Sequence, residues 1–157
     1  TAMGNYPVET VQFMARIIKE AEVLLLERDS LREPPREKGT ADFLAYSACL
    51  LAEKTNAQAI VTHSLSGSSA RLVSARQPRH PIYALTPDPE TLHSLNLTWG
   101  VRPRLVSAEI ESHLERTENF IDSHPSFHKG RAFIITAGQV GGGQRSAGTN
   151  LVKIYVK

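Results

Sequence analysis

Cysteine is nearly absent from this sequence: Cys49 is the only one, so no internal disulfide framework can hold the chain together. It sits in SACLLAEK, a mostly apolar stretch with helical spacing, where a small buried side chain is expected rather than a reactive thiol. A reducing cytoplasm is the compartment this composition predicts. Charge of one sign is also scarce. The formal net charge is +2 at pH 7 and no run of Lys or Arg concentrates it, which argues against nucleic acid or a membrane surface as partner. Long apolar runs are missing too: none approaches the roughly 20 residues that span a bilayer, and no secretory signal pattern is present. What remains is an ordinary globular composition, 41% hydrophobic and 22% charged over 157 residues, enough for one domain with its own core.

Several catalytic signatures are missing as well. No Gly-Lys-Ser/Thr exists to make a P-loop, and Gly141-Gly142-Gly143 does not complete a dinucleotide fingerprint. No GxSxG elbow presents a serine nucleophile. His124 and His128 are separated by Pro125 with no cysteine near, a poor start for a metal site. The carboxylate pairs Glu109 with Glu111 and Glu115 with Glu118 read as a solvated helix face.

The informative stretch is 59–73, AIVTHSLSGSSARLV. Ala59-Ile60-Val61 reads as a buried strand, and a helical pattern begins at Ala70. Between them lies a small hydroxyl-rich turn with Thr62, Ser64, Ser66, Gly67, Ser68 and Ser69. A strand, a serine-glycine turn and a helix aim several backbone N–H groups and the positive end of a helix dipole at one spot, which favours an anion, phosphate above all. The alternative is a surface turn whose serines only cap the helix.

Along the chain, Pro7 suits a helix start, and Val8, Val11, Ala15, Ile18 and Ala21 mark an amphipathic helix of about five turns. Residues 28–39, charged and carrying Pro34-Pro35, read as an exposed connection and the one candidate boundary. Thr40 is expected to cap a second helix with Leu44, Ala48 and Leu51 on one face and Asn56 near its end. After the serine turn the helix over 68–75 must stop before Pro78. The strand IYAL over 82–85 follows, and Asp88-Pro89 opens a short helix. Pro103 puts the strand over 101–106 at a sheet edge. A longer helix is predicted over 107–122, then a strand AFII over 132–135 and a glycine-rich loop over 136–149. In the last strand, Val152, Ile154 and Val156 alternate with Lys153, Tyr155 and Lys157, the pattern of a strand with one face in water.

This alternation predicts an α/β fold, three layers of α/β/α around a five-stranded, mostly parallel sheet whose last strand runs antiparallel. Ligands of such sheets bind beyond the strands' carboxyl ends. The serine turn and the glycine loop both leave such ends, so the two are expected to converge. Hydroxyls of Ser64, Ser66, Ser68 and Ser69 with the Gly67 amide can cradle one phosphate. Arg145 in the glycine loop is the candidate for a second charge, with a mobile surface arginine as the alternative.

The sequence also resembles the C-terminal domain of pyruvate kinase joined to the last helix of that enzyme's catalytic barrel. Thr1-Ala2-Met3-Gly4-Asn5-Tyr6-Pro7-Val8-Glu9 is similar to the family's Glu-Thr-Ala-x-Gly-x-Tyr-Pro-x-Glu stretch, lacking the leading Gly-Glu. Met14 to Glu22, Ser66-Gly67, Pro81 to Thr86, Leu97-Thr98-Trp99-Gly100-Val101, Ile135-Thr136-Ala137-Gly138 and Gly148 to Lys153 follow in family order. The resemblance implies 1–29 as the barrel's terminal helix and 30–157 as the C-terminal domain, a homo-oligomer that is tetrameric at full length, and a phosphorylated effector, sugar phosphate or nucleotide. By position Ser64, Ser66, Gly67, Ser68 and Ser69 fall on the phosphate turn, and Gly143, Arg145 and Ser146 on the closing loop. It implies magnesium, potassium and the catalytic lysine too, but on the barrel, so that this chain is expected to be a fragment that transfers no phosphoryl group alone. Two departures stand out: Ser68 occupies a place where relatives often carry Lys or Arg, and the closing loop is longer and richer in glycine. A purely structural oligomerisation domain and a free-standing phosphosugar-binding module are the rival readings.

Overall fold

The computed structural model describes residues 3–26, 31, 39–107, 112–137 and 149–157. The chain divides into two compact units, Thr1–Ser30 and Leu31–Lys157. The first holds α1 (Pro7–Leu26), with proline at its first position as the sequence suggested. Its apolar residues Val8, Val11, Met14, Ile17 and Ile18 are all more than 45% exposed.

The second unit is a five-stranded sheet in the order β3-β2-β1-β4-β5, made of β1 (Ala59–His63), β2 (Ile82–Thr86), β3 (Val101–Leu105), β4 (Ala132–Ala137) and β5 (Leu151–Val156). Four strands run parallel and β5 pairs antiparallel to β4. This is the expected α/β architecture, including the reversed last strand. β1 and β2 are buried along their whole length, which is why they read as unbroken apolar runs rather than alternating ones. Pro103 pairs only with Ala84 of β2, on the edge strand where its missing N–H costs no ladder bond.

One face of the sheet is covered by α2 (Thr40–Lys54) and α3 (Ser68–Ala75). The small residues Ala45, Ala48, Cys49 and Ala52 of α2 repeat at helical spacing and meet Ile60, Ile82 and Ile134 with Val73 of α3. Leu95 of α4 (Pro89–Leu95) packs with Ala70 and Ala84. Ile121 of α5 (His113–Ser123) packs on the other face against Ala59, Val61, Phe133 and Ile135. Each such fully buried aliphatic side chain contributes roughly 1.5–3 kcal/mol. Burial also pushes the Cys49 thiol up to about 12, so it is an inert filler at neutral pH.

Helix ends follow local chemistry. Asp88 caps α4 by accepting from the Thr91 N–H at 2.8 Å. Asn56, at φ 48°, ends α2: the Ala57 N–H reaches the Ala52 carbonyl at 2.9 Å and that of Asn56 the Glu53 carbonyl at 3.3 Å.

Two expectations need correction, and in β5 the structure adds which face is covered. Thr40 is the first residue of α2, not its cap; Gly39 holds that position with no side-chain hydrogen bond. α5 begins at His113 rather than near Ser107, because Ser112 accepts from the Glu115 N–H and starts the helix there. In β5 the apolar residues Ile154 and Val156 are the exposed ones, at 46% and 60%, while Lys153 and Tyr155 are half-buried. An edge strand extends beyond the helices, so its alternation alone does not say which face is covered. The connection over 28–39 lies largely outside the described residues.

Candidate functional site

β1 is followed in the chain by β2 on one side and paired with β4 on the other, so strand order reverses between β1 and β4. That reversal is the switch point where open α/β sheets leave a crevice beyond their carboxyl ends. The serine turn emerges there from β1. The chain leaving β4 enters residues 138–148, which lie outside the described residues together with Gly143, Arg145 and Ser146, and returns at Thr149.

The turn is built from the backbone up. Ser64 is buried and extends the ladder, its N–H bonding the Leu85 carbonyl at 3.0 Å. Gly67 occupies the position before α3 at φ 76° and ψ 0°, a left-handed conformation costly for any residue with a Cβ. A Cβ there would also stand 2.9 Å from Arg71 Nη1 and 3.1 Å from Leu95 Cδ2. Gly67 has no side chain to cap α3, and a helix start carries N–H groups without intrahelical partners together with the positive end of the dipole. Ser66 and Ser68 are exposed, their hydroxyls 3.2 Å apart. Ser69 is 95% buried and accepts a hydrogen bond from the Thr149 hydroxyl at 2.5 Å, joining the start of α3 to the segment that enters β5.

Five of the eight residues singled out in the sequence therefore stand together in one turn. Three more neighbours were not foreseen. Arg71, one helical turn past Gly67, folds back and donates from Nη1 to the Ser66 carbonyl at 2.8 Å and from Nη2 to Ser94 Oγ at 2.7 Å. Thr91 of α4 donates to the Leu65 carbonyl at 3.0 Å, so α4 braces the turn from its other side. Thr149 is the third. For Arg71 the signal was present in the sequence: residues four apart on a helix share a face.

Across the sheet, His63 at the end of β1 is fully buried, with Arg116 Nη1 2.7 Å from its Nε2. A guanidinium can only donate, so Nε2 is the acceptor and Nδ1 carries the proton. Burial, then His113 stacked at 4.0 Å and Arg116, lower the His63 pKa to about 3, so it stays neutral at physiological pH. Thr136, on β4 opposite Thr62, has a fully buried hydroxyl without a hydrogen-bond partner among the described residues. Both threonines lie two residues beyond Ile60 and Ile134, whose side chains meet Val73, and so share the α3 face.

This arrangement can hold an anion and shows no group set for bond-breaking. Asp88, whose carboxyl is held below its usual range by hydrogen bonds from Thr91, acts as a helix cap. Glu118 of the suspected carboxylate pair is engaged by Lys153 at 2.5 Å. Among the described residues no three His, Cys, Asp or Glu gather as metal ligands. No described helix is long and apolar enough to cross a membrane.

The 3-2-1-4-5 order, with helices packed on both faces of the sheet, defines a three-layer α/β domain. More particularly, the chain belongs to the pyruvate kinase family, as the family model "Pyruvate kinase, alpha/beta domain" matches residues 42–155. It is 32% identical over 161 residues to the pyruvate kinase of Clostridium acetobutylicum, covering 99% of this chain and 33% of that protein. With the Bacillus licheniformis pyruvate kinase it shares 34% over 161 residues, covering 99% and 27%. A solved pyruvate kinase from Cryptosporidium parvum superposes with a TM-score of 0.66 at 25% identity, covering 78% of this chain and 23% of that one. The chain thus spans about a third or less of the length of these relatives.

Proposed function

We propose that this chain is the allosteric and assembly part of a pyruvate kinase, the enzyme that moves a phosphoryl group from phosphoenolpyruvate to ADP, and that it binds a phosphorylated effector at the serine turn. The observation that carries this reading is the turn itself. Uncapped N–H groups of α3, the hydroxyls of Ser66, Ser68 and Ser69 and the left-handed Gly67 converge beyond β1. Gly143, Arg145 and Ser146 are proposed to close over the bound ligand from the loop that ends at Thr149. Residues 1–29 are proposed as the last helix of a catalytic barrel, which the exposed apolar stripe of α1 would pack against. Catalysis, with its magnesium and potassium, would belong to that barrel in a cytoplasmic homotetramer. A bound effector would bias the assembly by a coupling of about 1–3 kcal/mol, the usual range for allosteric systems.

Thermal unfolding against fructose 1,6-bisphosphate, glucose 6-phosphate, ribose 5-phosphate, AMP and inorganic phosphate tests this. Ligand at a hundred times its dissociation constant should add about 2.7 kcal/mol and raise Tm by a few degrees. The shift should be selective and vanish in Ser66→Ala and Ser69→Ala. No shift with any of the five, in this chain and in the full-length enzyme, counts against effector binding. A second reading, assembly without an effector, is favoured by one observation: Ile154 and Val156 leave an apolar strip exposed on the sheet's open edge.

A further inference from the structure

We infer that Arg71 supplies the positive charge of the phosphate site, which the turn itself, residues 64–69, does not carry. The inference rests on the effector-binding reading above and goes beyond it by naming the group that selects a charged ligand. The turn residues 64–69 contain no Lys or Arg, so hydroxyls and amides alone face the anion there. A dianionic phosphate bound only by neutral donors forgoes the stronger, charge-assisted hydrogen bonds.

Geometry brings Arg71 into that role. Its side chain runs back along α3 toward the helix start, the direction helical side chains take. The guanidinium ends against Gly67, close enough that a Cβ at that position would stand 2.9 Å from Nη1. Two hydrogen bonds fix it, to the Ser66 carbonyl at 2.8 Å and to Ser94 Oγ at 2.7 Å. Arginine carries five N–H donors, and these two bonds use one on each terminal nitrogen, so further donors remain on a side chain that is otherwise exposed. The fork is therefore held at the turn before any ligand arrives, with its charge beside the positive end of α3. Holding Ser66 by its carbonyl also fixes the hydroxyl of the same residue at the mouth of the turn.

A separate observation points to a polar ligand or water at this end of the fold. The fully buried Thr136 hydroxyl, on the α3 face near the carboxyl end of β4, has no partner among the described residues. A buried hydroxyl without a partner is uncommon in folded proteins. Ser69 and Thr149 bond each other between α3 and the end of the loop that follows β4, which brings polar groups of both strands' exits together.

The test is titration calorimetry with fructose 1,6-bisphosphate and AMP on wild type, Arg71→Met, Arg71→Lys and Ser69→Ala, at low and moderate salt. Arg71→Met should weaken binding by about tenfold or more, the usual size of a lost charged hydrogen bond, and should flatten the salt dependence. Arg71→Lys should recover part of the affinity, because it restores charge without the fork. Because Arg71 also ties α3 to Ser94, the ligand-free Tm of each variant is measured alongside. A loss of affinity that Lys restores in part at similar ligand-free Tm supports the inference. If Arg71→Met binds like wild type while Ser69→Ala does not, the inference falls and the serine-turn site stands. If wild type binds neither ligand, in this chain and in the full-length enzyme, both fall together.

Discussion

The hydroxyl of Thr149 donates to that of Ser69 at 2.5 Å, across 80 residues of chain, and both side chains are about 95% buried. Each hydroxyl can donate or accept, so the pair leaves one proton over for a further acceptor. Thr149→Val keeps the shape and removes the hydroxyl, leaving Ser69 buried with one bond fewer. We expect a loss of about 1–3 kcal/mol in urea unfolding, with Thr149→Ser near wild type. Equal stability of Thr149→Val and wild type would show that this bond is not made in solution.

Gly67 is constrained twice, by its φ of 76° and by the nearness of Arg71. The guanidinium can swing aside, so backbone strain should dominate the response to a side chain. Gly67→Ala should destabilise by about 1–2 kcal/mol. Because the guanidinium must also move, any effector response should weaken more than the unfolding midpoint suggests. An unchanged Tm would mean that the turn relaxes out of the left-handed region.

Acid should unfold the domain partly through His63. Its pKa is lowered in the fold to about 3, chiefly by burial, from an ordinary 6.5. The unfolded chain therefore binds a proton that the folded chain refuses between these values. Stability is complete above about pH 6.5 and falls as pH drops toward 3, by up to ~1.4 kcal/mol per pH unit for one proton. His80 and His124, also lowered mainly by burial, add in the same direction. His63→Gln, whose amide oxygen can still accept from Arg116, should remove about one proton from the slope of stability against pH. An identical slope would place the acid sensitivity elsewhere.

The sheet was readable because its central strands are buried on both faces and so appear as AIV, IYAL and AFII between turn residues. Pro103 marked the edge, and the absence of a helical pattern after AFII marked the reversed last strand. The serine turn was readable for a similar reason: its chemistry is local, within six consecutive positions. What pattern reading missed depends on tertiary contact. Nothing near Thr149 announces a bond to a residue 80 positions away. Arg71 lies one helical turn beyond the serine turn, and only the folding back of its side chain onto the Ser66 carbonyl brings it there. The start of α5 turned on a single hydrogen bond to Ser112 that propensity does not resolve, and α2 starts after Gly39 with no side-chain bond to mark it. In β5, alternation gave the two faces correctly but not which one the helices cover.

That strand carries a prediction of its own. Ile154 and Val156 stand exposed on β5, the last strand in the sheet order, and edge strands are templates for pairing with another chain. If the domain assembles through this edge, wild type should sediment as a dimer or larger species at micromolar concentration. Ile154→Lys with Val156→Glu should leave a monomer of unchanged Tm. A monomeric wild type would show that this edge alone does not drive assembly.

The most direct test of effector binding follows the backbone amides of 15N-labelled protein while fructose 1,6-bisphosphate or AMP is added. Binding at the serine turn predicts that the amides of Ser66, Gly67, Ser68, Ser69 and Ala70 shift first and saturate together. Thr149 should follow, and the amides of β3 should stay still. Saturable shifts that avoid residues 64–71, or no shifts at millimolar ligand in this chain and in the full-length enzyme, would contradict the account.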